Sequence, residues 1–306
     1  MKVFVTGATG YIGGSVAVRL LRAGHTVSGL TRGGPKAEAL TALGVEPVTG
    51  TLDDADLLTE RARRADAVIN AADSDHRGAV EALLAGLAGS GKPFLHTSGS
   101  SVVGDDARGE ASDAVFDESL HDPGSTWRPT ADKAARVAID RLVLSAAADL
   151  DVRSSVLCNT LIYGHGRGPS RDSVQIPALV RQATASGVVR HIGPGRNIWS
   201  NVHIDDVADL YLLALERSPA GSFYFVENGE ESFGAITEAL ARALNLPGPE
   251  PWDVEQAIAA WGYEPAVYAL GSNSRTRTTR THTHLAWTPT HTSVTDWITT
   301  EPEPLA

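Results

Sequence analysis

Short apolar runs alternate with segments of helical period through the first two thirds of the chain. Lys2-Val3-Phe4-Val5 is too short for a helix and rich in β-formers, so it reads as a strand. From Ile12 the apolar spacing turns helical, with Ile12, Val16, Leu20 and Leu21 on one side, and Gly24 closes that helix. A second strand follows over 25–30. The same reading predicts helices over 35–43, 55–64 and 77–90, with strands over 45–48, 67–72 and 93–97. Further on come a helix over 129–148, a strand over 152–157, the short run Leu161–Tyr163 and a helix over 176–186. A helix over 206–216, a strand over 223–226 and an amphipathic helix over 233–244 complete the regular pattern. Strands alternating with helices in this way build a parallel α/β sheet.

The turn between the first strand and the first helix is Thr6-Gly7-Ala8-Thr9-Gly10-Tyr11-Ile12-Gly13. Glycines at this spacing permit a tight turn and a close approach of backbone to a ligand. The helix behind them presents unpaired N–H groups and its positive dipole end to an anion. Between two strands, such a run predicts a dinucleotide site with the pyrophosphate at the helix start. An acid at the end of the second strand would bond a ribose 2′-hydroxyl, and an arginine there suits a 2′-phosphate. Thr31-Arg32-Gly33-Gly34 offers the arginine and no acid, so NADP(H) is expected rather than NAD(H).

Composition narrows the field. A chain of 306 residues accommodates one large domain, or a domain with a smaller lobe. A formal charge of −11 argues against general nucleic-acid or anionic-membrane binding. The single cysteine, Cys158, allows no internal disulfide, and Met1 runs straight into a strand without a leader or a spanning segment. A cytoplasmic protein acting on a small molecule is the expectation. No Cys/His spacing of a metal site is present, so no metal is expected.

The glycine run, Gly50-Thr51-Leu52-Asp53-Asp54, the strand exit Val68-Ile69-Asn70-Ala71-Ala72 and Val202-His203-Ile204-Asp205-Asp206-Val207-Ala208 together carry a resemblance. They resemble the extended and atypical short-chain dehydrogenase/reductases, close to the NAD-dependent epimerase/dehydratases. The resemblance implies a Rossmann-type doubly wound parallel sheet with a smaller C-terminal substrate lobe. On that plan residues 1–160, with 201–226 returning, form the dinucleotide core, and 161–200 with 227–306 form the lobe. It assigns cofactor contacts to Gly7, Thr9, Gly10, Tyr11, Ile12, Gly13, Arg32, Thr51, Leu52, Asn70, Ala71, Ala72 and Arg136. Asp53 serves either the adenine side, through its backbone, or the cap of the helix over 55–64. It also implies that His203 is structural, with the neighbouring Asp capping the next helix, and it allows a homodimer through the helix carrying Asp132.

The resemblance departs at the catalytic positions. Gly99 stands where the family places its Ser/Thr, with Ser98 and Ser100 flanking it. Counting back from Leu161-Ile162-Tyr163-Gly164 sets Asp132 and Arg136 where the family has Tyr and Lys. At i and i+4 the two are expected to pair, which would keep Asp132 ionised, an acceptor rather than a donor. Arg136 donates hydrogen bonds but does not titrate. Tyr163 and His165, beside the Gly164–Pro169 loop, are the candidate replacement proton carriers. Three functions follow: an NADP(H)-dependent oxidoreductase on a small carbonyl or alcohol, a non-redox isomerase, lyase or cyclase with Asp132 as base, and a cofactor-sensing regulator. Trp252, Trp261, Tyr263 and Tyr268 either line a substrate pocket or belong to a core.

Overall fold

The structure, a computed structural model, describes residues 1–300. Its first five strands are β1 (Lys2–Thr6), β2 (Thr26–Thr31), β3 (Glu46–Thr49), β4 (Ala67–Asn70) and β5 (Pro93–Gly99). They alternate with α1 (Tyr11–Arg22), α2 (Pro35–Ala42), α3 (Ala55–Arg64) and α4 (Arg77–Leu87). α5 (Ala134–Asp149) leads to the strand Arg153–Asn159. With Ser222–Val226 these strands form one seven-stranded sheet, ordered 222–226, 153–159, β5, β4, β1, β2, β3, and every pairing in it is parallel. The order reverses beside β1, and the crevice at that switch point is where such sheets take ligands.

Both faces are covered, so the strands read as continuous apolar runs rather than alternating ones. α1 and the helix Ile204–Arg217 cover one face, packing Val16, Leu20, Leu210 and Tyr211 on Val3, Val5 and Leu95. α3, α4 and α5 cover the other, over Phe4, Val68, Phe94 and Val156. A third core, with Tyr163, Trp199, Phe233 and Leu240, lies beneath the small sheet of Leu161–Tyr163, Ile198–His203 and Glu230–Ser232.

One boundary matters for the site. The helix expected from residue 129 begins at Ala134, with Lys133 as its N-cap. Residues 131–133 form a turn instead, closed by the Lys133 amide donating to the Thr130 carbonyl at 3.1 Å. Among the described residues, no helix is long and apolar enough to cross a membrane.

Candidate active site

The glycine turn is built to hold something against its backbone. Gly7 has φ +72°, and a Cβ there would run into the Ala71 carbonyl at the exit of β4. A Cβ on Gly13 would strike the Gly7 carbonyl. Both glycines are therefore fixed by close backbone packing, and the first N–H groups of α1 keep their free donors. Gly10 is the N-cap, and no side chain caps this helix. In front of it lies a cleft of about 440 Å³ lined by Gly7, Thr9, Thr31, Arg32, Leu52 and Ala72, with Lys36, Asp53 and His76 at its rim. The cradle fits the phosphates of a dinucleotide, and the groove toward β2 fits an adenosine.

Several side chains assigned to this cleft turn elsewhere. The Tyr11 hydroxyl donates to the Gly164 carbonyl at 2.7 Å, tying α1 to the loop after the strand Leu161–Tyr163. Thr51 does line the cleft, and it donates from backbone and hydroxyl to Asp54 Oδ2, at 2.6 and 3.0 Å. Asp53 is not the cap of α3; that position is Asp54, and the Asp53 carboxylate faces His76 Nε2 at 3.1 Å. Asn70 is buried, its carbonyl oxygen accepting from Thr6 and its amide donating to His96 Nδ1 at 3.1 Å.

The end of β5 meets the start of α5, and here the expected pair does not form. Arg136 binds Asp75, from the loop after β4, through Nε at 2.8 Å and through a second bond from Nη2. Its Nη1 donates to Ser101 Oγ at 3.0 Å. Asp132 lies before the helix and pairs with Lys133, Oδ2 to Nζ 3.2 Å. Its carboxyl is lowered to about 2, chiefly by a bond from Thr130 and further by one from Lys133, against a smaller effect of burial. Asp132 is thus ionised, as the sequence leads one to expect, but through neighbours other than Arg136.

Ser98 and Ser100 do not open into the site. Ser98 Oγ donates to Asp140 Oδ2 at 3.0 Å beneath Arg136, and Ser100 Oγ bonds Ser274 Oγ at 2.8 Å. Asp140 is fully buried, and its second oxygen faces His96 Nε2 at 3.8 Å. Burial pushes the Asp140 carboxyl up to about 7 and the His96 imidazole down to about 4. Because Asn70 donates to His96 Nδ1, the neutral ring carries its proton on Nε2, directed at Asp140. The floor of the site is therefore a chain of buried polar groups, Ser98, Asp140, His96 and Asn70, below one permanent cation.

Comparison with known proteins fixes the lineage. Residues 3–226 match the model of the NAD dependent epimerase/dehydratase family. The chain belongs to that family. An oxidase, ucsJ, from an Acremonium species is 34% identical over 94% of this chain and 92% of its own. A 4-hydroxy-2-methyl-3-oxo-4-farnesyl-3,4-dihydroquinoline-1-oxide ketoreductase from Stigmatella aurantiaca is 30% identical over 89% and 87%. The UDP-glucose 4-epimerase of Thermotoga maritima, solved with UDP-glucose, superposes with a TM-score of 0.75 at 18% identity, covering 98% of this chain and 96% of its own, a likeness of fold. The chain is thus an NAD(P)-dependent enzyme of the epimerase, dehydratase and reductase kind.

Within this family framework the remaining candidates are placed as follows. Tyr163 is buried, its ring 5.2 Å from that of His203 and 5.8 Å from that of Trp297. Its hydroxyl has no hydrogen-bond partner among the described residues, and burial raises its pKa. His165 packs edge-on against Trp297 at 5.5 Å. Both lie outside the seven-stranded sheet and make none of the contacts of the β5–α5 group. His203, rather than an Asp, caps the helix Ile204–Arg217, its Nδ1 accepting from Asp205 N at 3.2 Å. His203, Asp205 and His291 bring donor atoms within 4.8 Å of one another. Those atoms are engaged: Arg167 binds both Asp205 oxygens, at 2.8 and 2.6 Å, and His291 Nδ1 lies 3.0 Å from Asp206. Sequence reasoning missed Asp75, Ser101, His96 and Asp140, each of which acts here through a partner distant in the chain.

Proposed function

We propose that this enzyme is an NADP(H)-dependent oxidoreductase acting on a small carbonyl or alcohol. The observation that carries the reading is the cationic end of the cleft. Arg32 and Lys36 line it, both exposed, and neither has an ion-pair partner among the described residues. Thr31 ends β2 where a carboxylate would otherwise repel a phosphate. Redox chemistry is supported by the relatives, which include the oxidase, the ketoreductase and, at 28% identity, a 2-alkyl-3-oxoalkanoate reductase from Stenotrophomonas maltophilia.

The residues divide the work. Gly7 and Gly13 admit the pyrophosphate to the α1 N–H groups, and Arg32 with Lys36 neutralises the 2′-phosphate. A bound nicotinamide supplies or accepts the hydride. Arg136, held by Asp75 and Ser101, presents its guanidinium to ribose hydroxyls or to a developing oxyanion and stays charged throughout. Asp132, with its proton affinity so low, is a weak base, which places a non-redox reaction through it second. For that second reading, Asp132→Asn with full activity would end it.

The cofactor preference is tested by binding. In the double variant Arg32→Ala/Lys36→Ala, loss of two charge-assisted contacts is expected to weaken NADPH by roughly 10- to 100-fold and leave NADH nearly unchanged. A wild-type chain that prefers NADH, or a double variant with unaltered preference, contradicts the proposal.

A further inference from the structure

Gly99 ends β5 with an ordinary extended backbone, φ −137° and ψ 139°. Its chain neighbours aside, a Cβ built there would meet no heavy atom nearer than Arg136 Nη1, at 4.0 Å. The missing side chain thus leaves a notch that opens onto a guanidinium. Ser101 borders it through the same nitrogen, its Oγ accepting from Nη1 at 3.0 Å. The notch lies at the ligand edge of the sheet. β5 runs beside β4, about 4.8 Å away, and the β4 exit gives Ala72, Asp73 and His76 to the cleft before α1. Asp75, which clamps Arg136, belongs to that same exit.

A guanidinium carries five N–H donors in one rigid plane. Asp75 takes one from Nε and one from Nη2, and Ser101 takes one from Nη1. One N–H on Nη1 and one on Nη2 are left without a partner among the described residues. They sit on neighbouring nitrogens of one plane, the arrangement that grips two coplanar oxygens at once. The Arg136 side chain is 21% exposed, so these donors are partly withdrawn from water yet open to a ligand. Asp75 already balances the guanidinium charge through both its oxygens, and Lys133 is balanced by Asp132 at 3.2 Å. What the notch offers is therefore direction rather than net charge.

Resting on the oxidoreductase reading above, we propose that the notch between Gly99 and Arg136 selects a carbonyl substrate with a second carbonyl oxygen in a 1,3 relation to the reacting one, as in a 3-oxo ester. One free N–H of Arg136 holds the reacting oxygen, where negative charge grows during reduction, and the other holds the second oxygen. The oxygens of a folded 1,3-dicarbonyl lie side by side in one plane, as two parallel N–H bonds require. At residue 99 no side chain stands against that plane. A simple ketone occupies one donor and leaves the other unpaired. A site built for a hydrogen bond rejects the analogue that lacks it. The Ser101 hydroxyl, having accepted from Nη1, keeps its own proton as a third donor at the same place.

The test uses the full chain saturated with NADP⁺, which cannot reduce a ketone, and two probes that differ by one oxygen. Ethyl acetoacetate has the second carbonyl, and 4-ethoxybutan-2-one has a methylene in its place. Ligand-observed NMR titration reads both dissociation constants. Wild type is expected to hold the keto ester roughly 10- to 100-fold tighter, the worth of one hydrogen bond to a charged donor. Gly99→Val fills the notch, and its extended backbone suits a β-branched residue. It should bring the two probes within about threefold of each other and keep NADP⁺ within about threefold of wild type. Arg136→Lys keeps the charge, loses the fork, and should erase the same preference. A merely structural role would weaken both probes alike and leave their ratio. Equal binding of the probes by wild type, no binding of either, or an undiminished ratio in either folded variant overturns the assignment. A wild-type chain that binds no NADP⁺ fails at the first titration and removes the oxidoreductase reading and the notch together.

Discussion

Gly7→Ala is expected to lose dinucleotide binding and to melt on the order of 5 °C below wild type. Two costs combine at this residue. A left-handed backbone, here φ +72°, costs a non-glycine residue about 1–2 kcal/mol. The new methyl would also overlap the Ala71 carbonyl oxygen and crowd Ala72 N, both backbone atoms of the β4 exit. Overpacking of that kind costs about 1–3 kcal/mol, because β4 must shift and cannot swing aside as a flexible side chain would. In a chain of 306 residues a loss of about 3 kcal/mol corresponds to roughly 5 °C. The shift also closes the space in which a pyrophosphate meets α1. Calorimetry and fluorescence titration of the same sample read both effects. A variant that melts with wild type and still binds would contradict the cradle described above. Gly24→Ala, with φ +84° but no heavy atom within 4 Å, carries the backbone cost without the overlap and should bind normally.

Asp140→Asn should change how stability depends on pH. The unfolded carboxyl titrates near 4, and burial holds it at about 7 in the folded chain. Between those values the folded chain keeps a proton that the unfolded chain has released. The contribution of Asp140 is therefore fully present below about pH 4 and is lost as pH rises toward 7, by on the order of 1 kcal/mol per pH unit. His96 runs the other way. Its folded value of about 4 lies below the unfolded value near 6.5, so its contribution grows as pH rises through that window. Wild type carries both slopes, and from about pH 4 to 6.5 they oppose each other. Asparagine keeps the shape and an acceptor for Ser98 Oγ while removing the titration. Relative to wild type, the variant should gain stability from pH 4 to 6.5 by on the order of 1 kcal/mol per unit. His121 and His203, each lowered to about 4 with burial as the first cause, act alike in both proteins and drop out of the difference. Parallel melting curves across that range would show that Asp140 is ionised in the folded chain.

These two predictions separate what the sequence could tell from what it could not. The glycine turn was legible because its physical requirement is local: strand, φ-positive turn and helix start lie within thirteen residues. The parallel α/β sheet was legible for the same reason, each strand and helix announcing itself by its own period. Arg32 needed only the end of β2 to be located. The Asp132–Arg136 pair failed because i,i+4 contact requires both residues in one helix, and Asp132 stands in the turn before that helix begins at Ala134. Freed from Asp132, Arg136 found Asp75, 61 residues away, and no periodicity encodes such a contact. The Ser98–Asp140–His96 chain was invisible in the same way, since an acid on an amphipathic helix gives no sign of facing a histidine on β5. Tyr268 appeared in the sequence only as one aromatic among several, because its partner Lys133 lies 135 positions earlier and meets it through tertiary packing.

The central claim is that the amino end of α1 and the cleft before it hold a nicotinamide dinucleotide bearing a 2′-phosphate. Titration of the purified chain with NADPH and NADH, followed by cofactor fluorescence, tests it most directly. One saturable site per chain, tighter for NADPH, is the predicted result. A chain that binds neither dinucleotide would contradict it.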